Sequence, residues 1–222
     1  TDKAPCYIVS KFVDGGSLAA RLRTGRLHYR VAANLVAAIA EAMRGVWQAH
    51  PGDADVGALF AESLADLRPW DLWTPEGQPQ PGTGELIVTL ERVIALQPAH
   101  PLANHLYIHA VEASPEPGRA DAAADRLRQL QPGLGHMVHM PSHIDVRRGR
   151  WQQAIEANAR AIEADRRYTA RSPQQQFYRL YMAHNHHMLA YAAMMNGQSR
   201  LALETMREMV ADIPADFFRA NP

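Results

Sequence analysis

The sequence predicts an all-α protein that stacks helical hairpins into a solenoid. Alanine and leucine are abundant, aromatic residues make up only 7% of the chain, and β-branched runs are scarce, a composition that favours helix. Segments with helical periodicity are separated by prolines and glycines, which end helices. Three features also recur after 34 residues, the length of a two-helix repeat: Pro98 and Pro132, His105 and His139, His109 and His143.

The first 43 residues have a mixed pattern. Residues 6–13 form a β-branched and aromatic run that predicts a short strand. A turn at 14–17 follows, and its serine is placed to cap a helix that begins near Leu18. A second helix is expected over 27–44, with apolar residues along one stripe: Val31, Leu35, Ile39 and Met43.

Helical segments separated by breakers continue to the end of the chain. We expect helices over 54–67, 84–97, 101–114, 118–131, 135–148, 150–166, 173–196 and 198–211. Gly149 and Gly197 each mark a tight turn between two antiparallel helices. Residues 68–83, rich in proline, glycine and tryptophan, interrupt the series, and we expect Trp70 and Trp73 to cover one end of the solenoid.

The bulk composition excludes several classes of partner. Basic and acidic residues number 23 each and form no basic stripe, so we expect no nucleic acid and no membrane surface as partner. No apolar run approaches the length of a membrane span, and no signal peptide is evident. The single cysteine, Cys6, excludes an internal disulfide framework and fits a reducing compartment. The expected location is therefore the cytoplasm.

The N-terminal segment 5–43 resembles the hinge region of a bacterial eukaryotic-type serine/threonine kinase. The likeness rests on residues 7–18, YIVSKFVDGGSL, in which Lys11 to Val13 would form the hinge beside the adenine pocket. A glycine-rich loop, a strand lysine, a His-Arg-Asp catalytic loop and an Asp-Phe-Gly motif are all missing, and these carry phosphoryl transfer. We therefore expect no kinase activity, and we divide the chain into a kinase-like fragment, 1–43, and a repeat domain, 44–222.

Residues 44–211 resemble a tetratricopeptide-repeat (TPR) protein, and more narrowly a bacterial group of them. The likeness rests on LRPWDLW at 67–73, NHLYIHAVE at 104–112 and HMPSH at 139–143. The resemblance implies a right-handed solenoid in which the first helix of each pair lines a concave groove. It also implies that the groove presents five side chains: His105, His109, His139, His143 and Glu112.

Paired histidines on successive repeats predict a metal site. Imidazoles at positions i and i+4 share one face of a helix, and stacking brings the pairs together. Aligning Gly149 with Gly197 adds His184 and His187 to the same face. The expected ligands of a divalent transition metal, Zn, Fe, Cu or Ni, are His105, His109, His139, His143, His184 and His187.

Glu112 lies one turn after His109, and we expect it to serve as a further ligand or as a general base on metal-bound water. Six histidines and a carboxylate are more ligands than one tetrahedral ion binds. Either some of the histidines hydrogen-bond the metal ligands without binding the ion, or two ions bind. With an open coordination position, the site would be that of a metal-dependent enzyme, hydrolytic or oxidative.

Three other residues bear on the ligand set. Pro141 stands inside a predicted helix and should kink it between His139 and His143. His136, near the start of that helix, is expected to satisfy backbone groups or to extend the ligand set. His186 should point away from the groove, toward the packing side.

The alternative function is a non-enzymatic scaffold that binds a peptide or protein in the same groove. A groove rich in protonated imidazole would also hold an acidic peptide or a small anion. Arginines at helix ends are candidate carboxylate-binding residues: Arg147, Arg148, Arg166 and Arg167. Whether the protein is a metal-dependent enzyme or a scaffold, a small molecule or a peptide is thus the expected ligand of the groove.

Overall fold

The structure is a computed structural model that describes Gly25 and residues 27–172 and 178–212. Within these residues the chain forms ten α-helices: α1 Tyr29–Ala49, α2 Ala54–Ala65, α3 Thr83–Leu96, α4 Pro101–Glu112, α5 Asp121–Leu130, α6 Gly135–His139, α7 Pro141–Arg147, α8 Trp151–Arg171, α9 Arg179–Met195 and α10 Ser199–Asp212. The strand predicted at 6–13, the helix near Leu18 and the kinase-like hinge lie outside the described residues.

The helices pack as successive hairpins, which confirms the predicted all-α solenoid. Helix α2 packs on α3, α4 on α5, α6 and α7 on α8, and α9 on α10, while α1 packs on α2. The one isolated β-bridge among the described residues joins Trp73 and Pro79 in the insertion. The division expected between residues 43 and 44 falls inside α1, which runs unbroken through both positions.

Local sequence signals fix where several helices begin and end. The Asp53 carboxylate caps α2 by accepting hydrogen bonds from the backbone N–H groups of Asp55 and Val56. His100 caps α4 in the same way, directly before Pro101. Gly149 and Gly197 have φ angles of 70° and 74°, a left-handed conformation that favours glycine at the expected tight turns.

Some boundaries differ from those expected. Helix α1 continues to Ala49 because no residue breaks it before Pro51. Helix α8 continues to Arg171, beyond the end expected at residue 166. The segment predicted as one helix over 135–148 is divided into α6 and α7, which meet at Met140 directly before Pro141. The break predicted at this proline is confirmed.

Two apolar clusters hold the hairpins together on either side of a polar layer. The larger contains fully buried side chains from α2 to α7: Phe60, Leu90, Ile108, Leu127 and Ile144. The smaller joins α8 to α9 through Ile155 and three alanines, Ala154, Ala192 and Ala193, whose small side chains allow close approach. None of the described helices is long and apolar enough to cross a membrane.

Candidate metal centre

Seven ionisable side chains converge on one face of the solenoid, and all come from the first helix of a hairpin. Helix α4 contributes His105, His109 and Glu112, α6 contributes His136 and His139, α7 contributes His143, and α9 contributes His184. The i, i+3 and i, i+4 spacings keep side chains from one helix on the same face. Hairpin stacking then brings three consecutive first helices side by side.

The first group, here called the inner set, consists of His139, His143 and His184. One ring nitrogen of each residue lies within 4.8 Å of the others. The Nε2 atoms of His139 and His143 are 2.8 Å apart, and the His184 ring centroid lies 4.7 Å from that of His139. His139 is completely buried. Three imidazoles on three helices thus enclose one point.

Asn158 fixes the tautomer of His139. The side-chain NH2 group of Asn158 donates to the carbonyl of Ala154 at 2.8 Å, so its amide oxygen faces the histidine. His139 Nδ1 lies 2.8 Å from that oxygen and must carry the proton in order to donate. Ser142 Oγ lies 3.3 Å from the same nitrogen. His139 Nε2 is therefore left with a lone pair directed at His143.

Glu112 connects two helices by accepting hydrogen bonds from two histidines. His109 Nδ1 donates to Oε1 at 2.7 Å, and His143 Nδ1 donates to Oε2 at 2.5 Å. Both of these rings carry a proton on Nδ1, and in their neutral forms each presents a lone pair on Nε2. Carboxylates commonly hold metal-bound histidines in this way.

The second group, here called the outer set, consists of His105, His109 and His136. One ring nitrogen of each again lies within 4.8 Å of the others. The Nε2 atoms of His105 and His136 are 3.1 Å apart. The Nδ1 atoms of both residues are buried and have no hydrogen-bond partner among the described residues. The rings of this set therefore have fewer hydrogen-bond partners outside the set than the rings of the inner set.

Burial keeps most of these histidines neutral. Loss of water, followed by repulsion from neighbouring imidazoles, lowers the pKa of His105 to about 3 and those of His136 and His184 to about 4. The same causes lower the pKa of His139 well below its ordinary value. Neutral imidazole is the form that binds metals.

Glu112 behaves in the opposite way. Burial alone would raise its pKa, but the hydrogen bonds from His109 and His143 outweigh that effect and lower the pKa to about 2. Glu112 is therefore the carboxylate at neutral pH, and it is the one negative charge held between the two histidine sets.

A pocket of about 490 Å³ opens beside the outer set. Its walls include His105, His109 and His136 together with Trp70, Trp73 and Arg147. The indole N–H of Trp73 donates to the carbonyl of Ala110 on α4 at 2.8 Å and so ties the insertion to the site. Trp70, which has the unusual φ of 62°, meets the His109 ring edge to face at 5.2 Å.

Most of the predicted site residues come together, with one exception and one addition. His187 is exposed and belongs to neither set, although it follows His184 by three residues on α9. His136 enters the outer set, and its i, i+3 spacing to His139 is the signal that favours this position.

Two further histidines have structural positions. His186 is buried, and its Nδ1 faces the Met182 carbonyl at 3.0 Å, away from both sets as expected. His100, which we gave no role, caps α4 through Nδ1, while its Nε2 lies 3.0 Å from an Asp55 oxygen.

Comparison with known proteins identifies the fold. No protein-family model matches the chain, and no curated protein sequence matches it. Two crystal structures of MamA match with TM-scores of 0.57 and 0.60, at 15% and 14% identity, over 78% and 82% of this chain and 85% of each of those chains. MamA 41-end from Desulfovibrio magneticus RS-1 matches with a TM-score of 0.55 at 13% identity, over 85% of this chain and 96% of that chain.

These similarities show a TPR-like helical solenoid. At such low identity the likeness extends to the fold alone. It gives no support to a kinase-like hinge at 5–43. The histidine sets are therefore interpreted from their own geometry.

Proposed function

We propose that this TPR-like chain binds a divalent transition metal through the inner set, His139, His143 and His184. The metal would be Zn, Fe, Cu or Ni, for which neutral imidazole is a preferred ligand. No cysteine is found among the described residues, since the one cysteine of the sequence is Cys6. Three histidines with a free position are the ligand arrangement of catalytic zinc sites, whereas structural sites have four protein ligands.

The observation that carries this proposal is the direction of two lone pairs. Asn158 and Glu112 occupy the Nδ1 protons of His139 and His143, so the two Nε2 atoms face each other at 2.8 Å. Two lone pairs at that distance repel unless a cation lies between them or beside them. A tetrahedral ion would satisfy both nitrogens and would spread them to about 3.3 Å.

A proton is the competing cation. If His143 carried a second proton, it would donate to His139 Nε2 and form an ion pair with Glu112. This arrangement would bridge only two rings and would leave His184 without a role. A metal ion accounts for all three.

Glu112 orients ligands in this proposal. The general-base role expected from the sequence fits less well, because both carboxylate oxygens already accept an N–H group. A carboxylate with a pKa of about 2 is also a weak base. If the site is catalytic, a metal held by these histidines would supply a water-derived nucleophile for hydrolysis, and oxidation is the other chemistry open to the ligand set.

A competition titration tests the proposal. Zinc is titrated into chelator-treated protein beside a coloured chelator, with His143→Gln and His184→Gln as test variants and His187→Gln as the matched control. We expect each test variant to weaken zinc binding more than about a hundredfold. Loss of a metal ligand should lower the affinity more than loss of a residue that only hydrogen-bonds a ligand. The exposed control should bind as the parent does. Equal affinity in all four proteins would reject the inner set as the site.

A metal-free peptide-binding scaffold is the second candidate, and the fold comparison favours it. TPR-like solenoids commonly serve as interaction modules, and the pocket beside α4 has an apolar wall that a peptide side chain would fill. Recognition by imidazolium charge is disfavoured, because the low pKa values keep His105, His136 and His184 neutral.

Phage-displayed peptides selected on the chelator-treated protein test this candidate. Peptides that bind the parent but not a Trp70→Ala variant would support a scaffold that works without metal. Selection that enriches no such peptide, from a protein that retains zinc binding, would reject it.

A further inference from the structure

We propose that the outer set, His105, His109 and His136, holds a second metal ion that faces the pocket and binds the carboxylate of an organic acid there. None of these histidines belongs to the inner set, so the site goes beyond the function proposed above. The inference begins from the geometry of the three rings and their buried nitrogen atoms.

The outer rings form a ligand set that hydrogen bonding does not complete. The Nε2 atoms of His105 and His136 are 3.1 Å apart, so one of them must donate a proton to the other. The acceptor ring then keeps its proton on Nδ1, and the donor ring keeps its lone pair there. Both Nδ1 atoms are buried and lack a partner among the described residues.

A metal ion bound by the facing Nε2 atoms of His105 and His136 would use both lone pairs, whereas without an ion one ring must donate to the other. His109 supports the same interpretation, since its proton is held by Glu112 at 2.7 Å and its Nε2 is left as an acceptor.

The position of the pocket distinguishes the two sets. His105, His109 and His136 line the pocket of about 490 Å³, whereas the inner set does not contribute to its walls. Three histidines leave at least one position on a tetrahedral ion. That position would open toward the pocket, so the outer ion would meet any small molecule that enters.

The charge and the shape of the pocket indicate that its ligand is an anion with an apolar group. Two divalent ions would carry four positive charges, and Glu112 is the one carboxylate between the sets. Arg147 lines the same pocket, and its guanidinium donates to the Ser114 carbonyl at 3.4 Å. Apolar walls complete the pocket: Leu72, Trp70, Trp73 and Leu106. A carboxylate on the ion, with a flat apolar group against the indoles, satisfies these features.

Cobalt(II) uptake tests the second ion. Chelator-treated protein is titrated with cobalt(II) while the visible absorption is recorded, for the parent and two double variants. We expect about two equivalents in the parent and about one in both His105→Gln/His136→Gln and His143→Gln/His184→Gln. Circular dichroism confirms that the variants fold, and His187→Gln should match the parent.

Phenylacetate, a carboxylate with a flat ring, tests the ligand. Its addition should shift the cobalt absorption of the parent and of His143→Gln/His184→Gln, but leave His105→Gln/His136→Gln unchanged. Arg147→Gln should weaken phenylacetate binding by about tenfold, the effect of one hydrogen bond to a charged group.

The outcomes separate this inference from the proposed function. If the parent takes up only one equivalent of cobalt and that equivalent survives in His105→Gln/His136→Gln, the second ion is overturned and the inner site is left intact. One equivalent lost only in that variant would overturn the inner site instead. Two equivalents with no spectral response to phenylacetate would overturn the acidic ligand.

Discussion

Asn158 and Glu112 determine which nitrogen atoms of the buried histidines are free. Each accepts an Nδ1 proton, and each thereby directs an Nε2 lone pair toward the interior of the inner set. Neither residue needs to touch the ion. Outer partners of this kind fix the tautomer and the ring orientation, and their loss commonly lowers metal affinity by about 10–100-fold.

Asn158→Leu should therefore weaken zinc binding by about 10–100-fold, because the Nδ1 proton of His139 loses its acceptor. Asn158→Asp should weaken zinc binding less, since a carboxylate accepts the same proton, although the Ala154 carbonyl loses its donor. Competition with a chelator measures both variants. Equal weakening in the two would show that the amide acts only in packing.

Stability should also depend on pH. Burial lowers the folded-state pKa of His105 to about 3 and of His136 to about 4, and that of His139 lies well below its ordinary value. In the unfolded chain these residues titrate near 6.5. The stability they confer is therefore complete above about pH 6.5 and is lost as the pH falls toward the folded-state values, because the unfolded chain binds more protons.

Urea unfolding of chelator-treated protein between pH 7.5 and 5 measures this effect. Each of the three histidines should reduce the free energy of unfolding by about 1.4 kcal/mol per pH unit once the pH is below 6.5. A flat profile over this range would contradict the neutral, buried state of the rings.

At the residue scale, the sequence predicts that histidines and one glutamate form the site. It is less successful at predicting which histidines contact one another. The 34-residue repeat correctly predicts that His109 and His143 meet, and their ring centroids are 5.1 Å apart. His105 meets His136, however, and not its repeat counterpart His139. A repeat period predicts which positions are equivalent. It does not predict how a break within a helix, such as that between α6 and α7, rotates the side chains on either side of it.

The break between α6 and α7 is the main departure from a regular repeat. Pro141 has no N–H group to donate, and α6 ends at His139 before it. The proline was a sufficient signal for the break. Its effect on ring direction was beyond sequence reasoning, because that effect depends on how α6 packs against α8 and α9.

The packing of α6 requires glycine at its first residue. A Cβ atom on Gly135 would lie 2.0 Å from Asp165 Oδ1, and Asp165 is itself held by Asn185 at 2.7 Å. Gly135→Ala should therefore displace α6 and lower the free energy of unfolding by about 1–3 kcal/mol. Gly84→Ala on α3 is the matched control, since open space surrounds that position.

Thermal and urea unfolding compare the two variants. The control should be unchanged or stabilised by up to about 1 kcal/mol, because alanine has less backbone freedom to lose. If Gly135→Ala were as stable as the control, the close approach of α6 to α8 would be wrong.

The insertion between α2 and α3 is anchored by one of its two tryptophans. Trp73 donates to the Ala110 carbonyl near the end of α4, whereas the Trp70 side chain is largely exposed. Trp73→Phe should lower the free energy of unfolding by about 1 kcal/mol through the lost hydrogen bond, and Trp70→Phe should leave it unchanged. Urea unfolding of both variants checks this, and equal effects would contradict the anchoring role of Trp73.

At the scale of the whole molecule, the metal site would add a link between two adjacent hairpins of the stack. An ion in the inner set would tie α6 and α7 to α9 across two hairpins. Each hairpin of a solenoid rests on adjacent units, so a link of this kind stabilises the stack.

Zinc should therefore raise the melting temperature. Binding at a thousand times the dissociation constant adds about 4 kcal/mol, or roughly 10 °C for a domain of this size. His184→Gln should reduce the increase, and the exposed His187→Gln should retain it in full. An equal increase in both variants would place the zinc elsewhere.

The overall architecture was the most predictable property of the chain. Breakers such as Gly149 and Gly197 and the 34-residue period define hairpins without any knowledge of tertiary contacts. The insertion at 68–83 was harder, because its conformation depends on contacts with α4 that no local pattern encodes. The site is intermediate in predictability. The repeats determine which helices lie side by side, but packing determines which side chains meet.

Elemental analysis of the untagged protein, beside the His143→Gln/His184→Gln variant, tests the metal site most directly. We predict at least about one equivalent of a transition metal per chain in the parent and a loss of about one equivalent in the variant. A parent protein that is purified without metal and takes up no Zn, Fe, Cu or Ni would contradict the metal site and favour the peptide-binding scaffold.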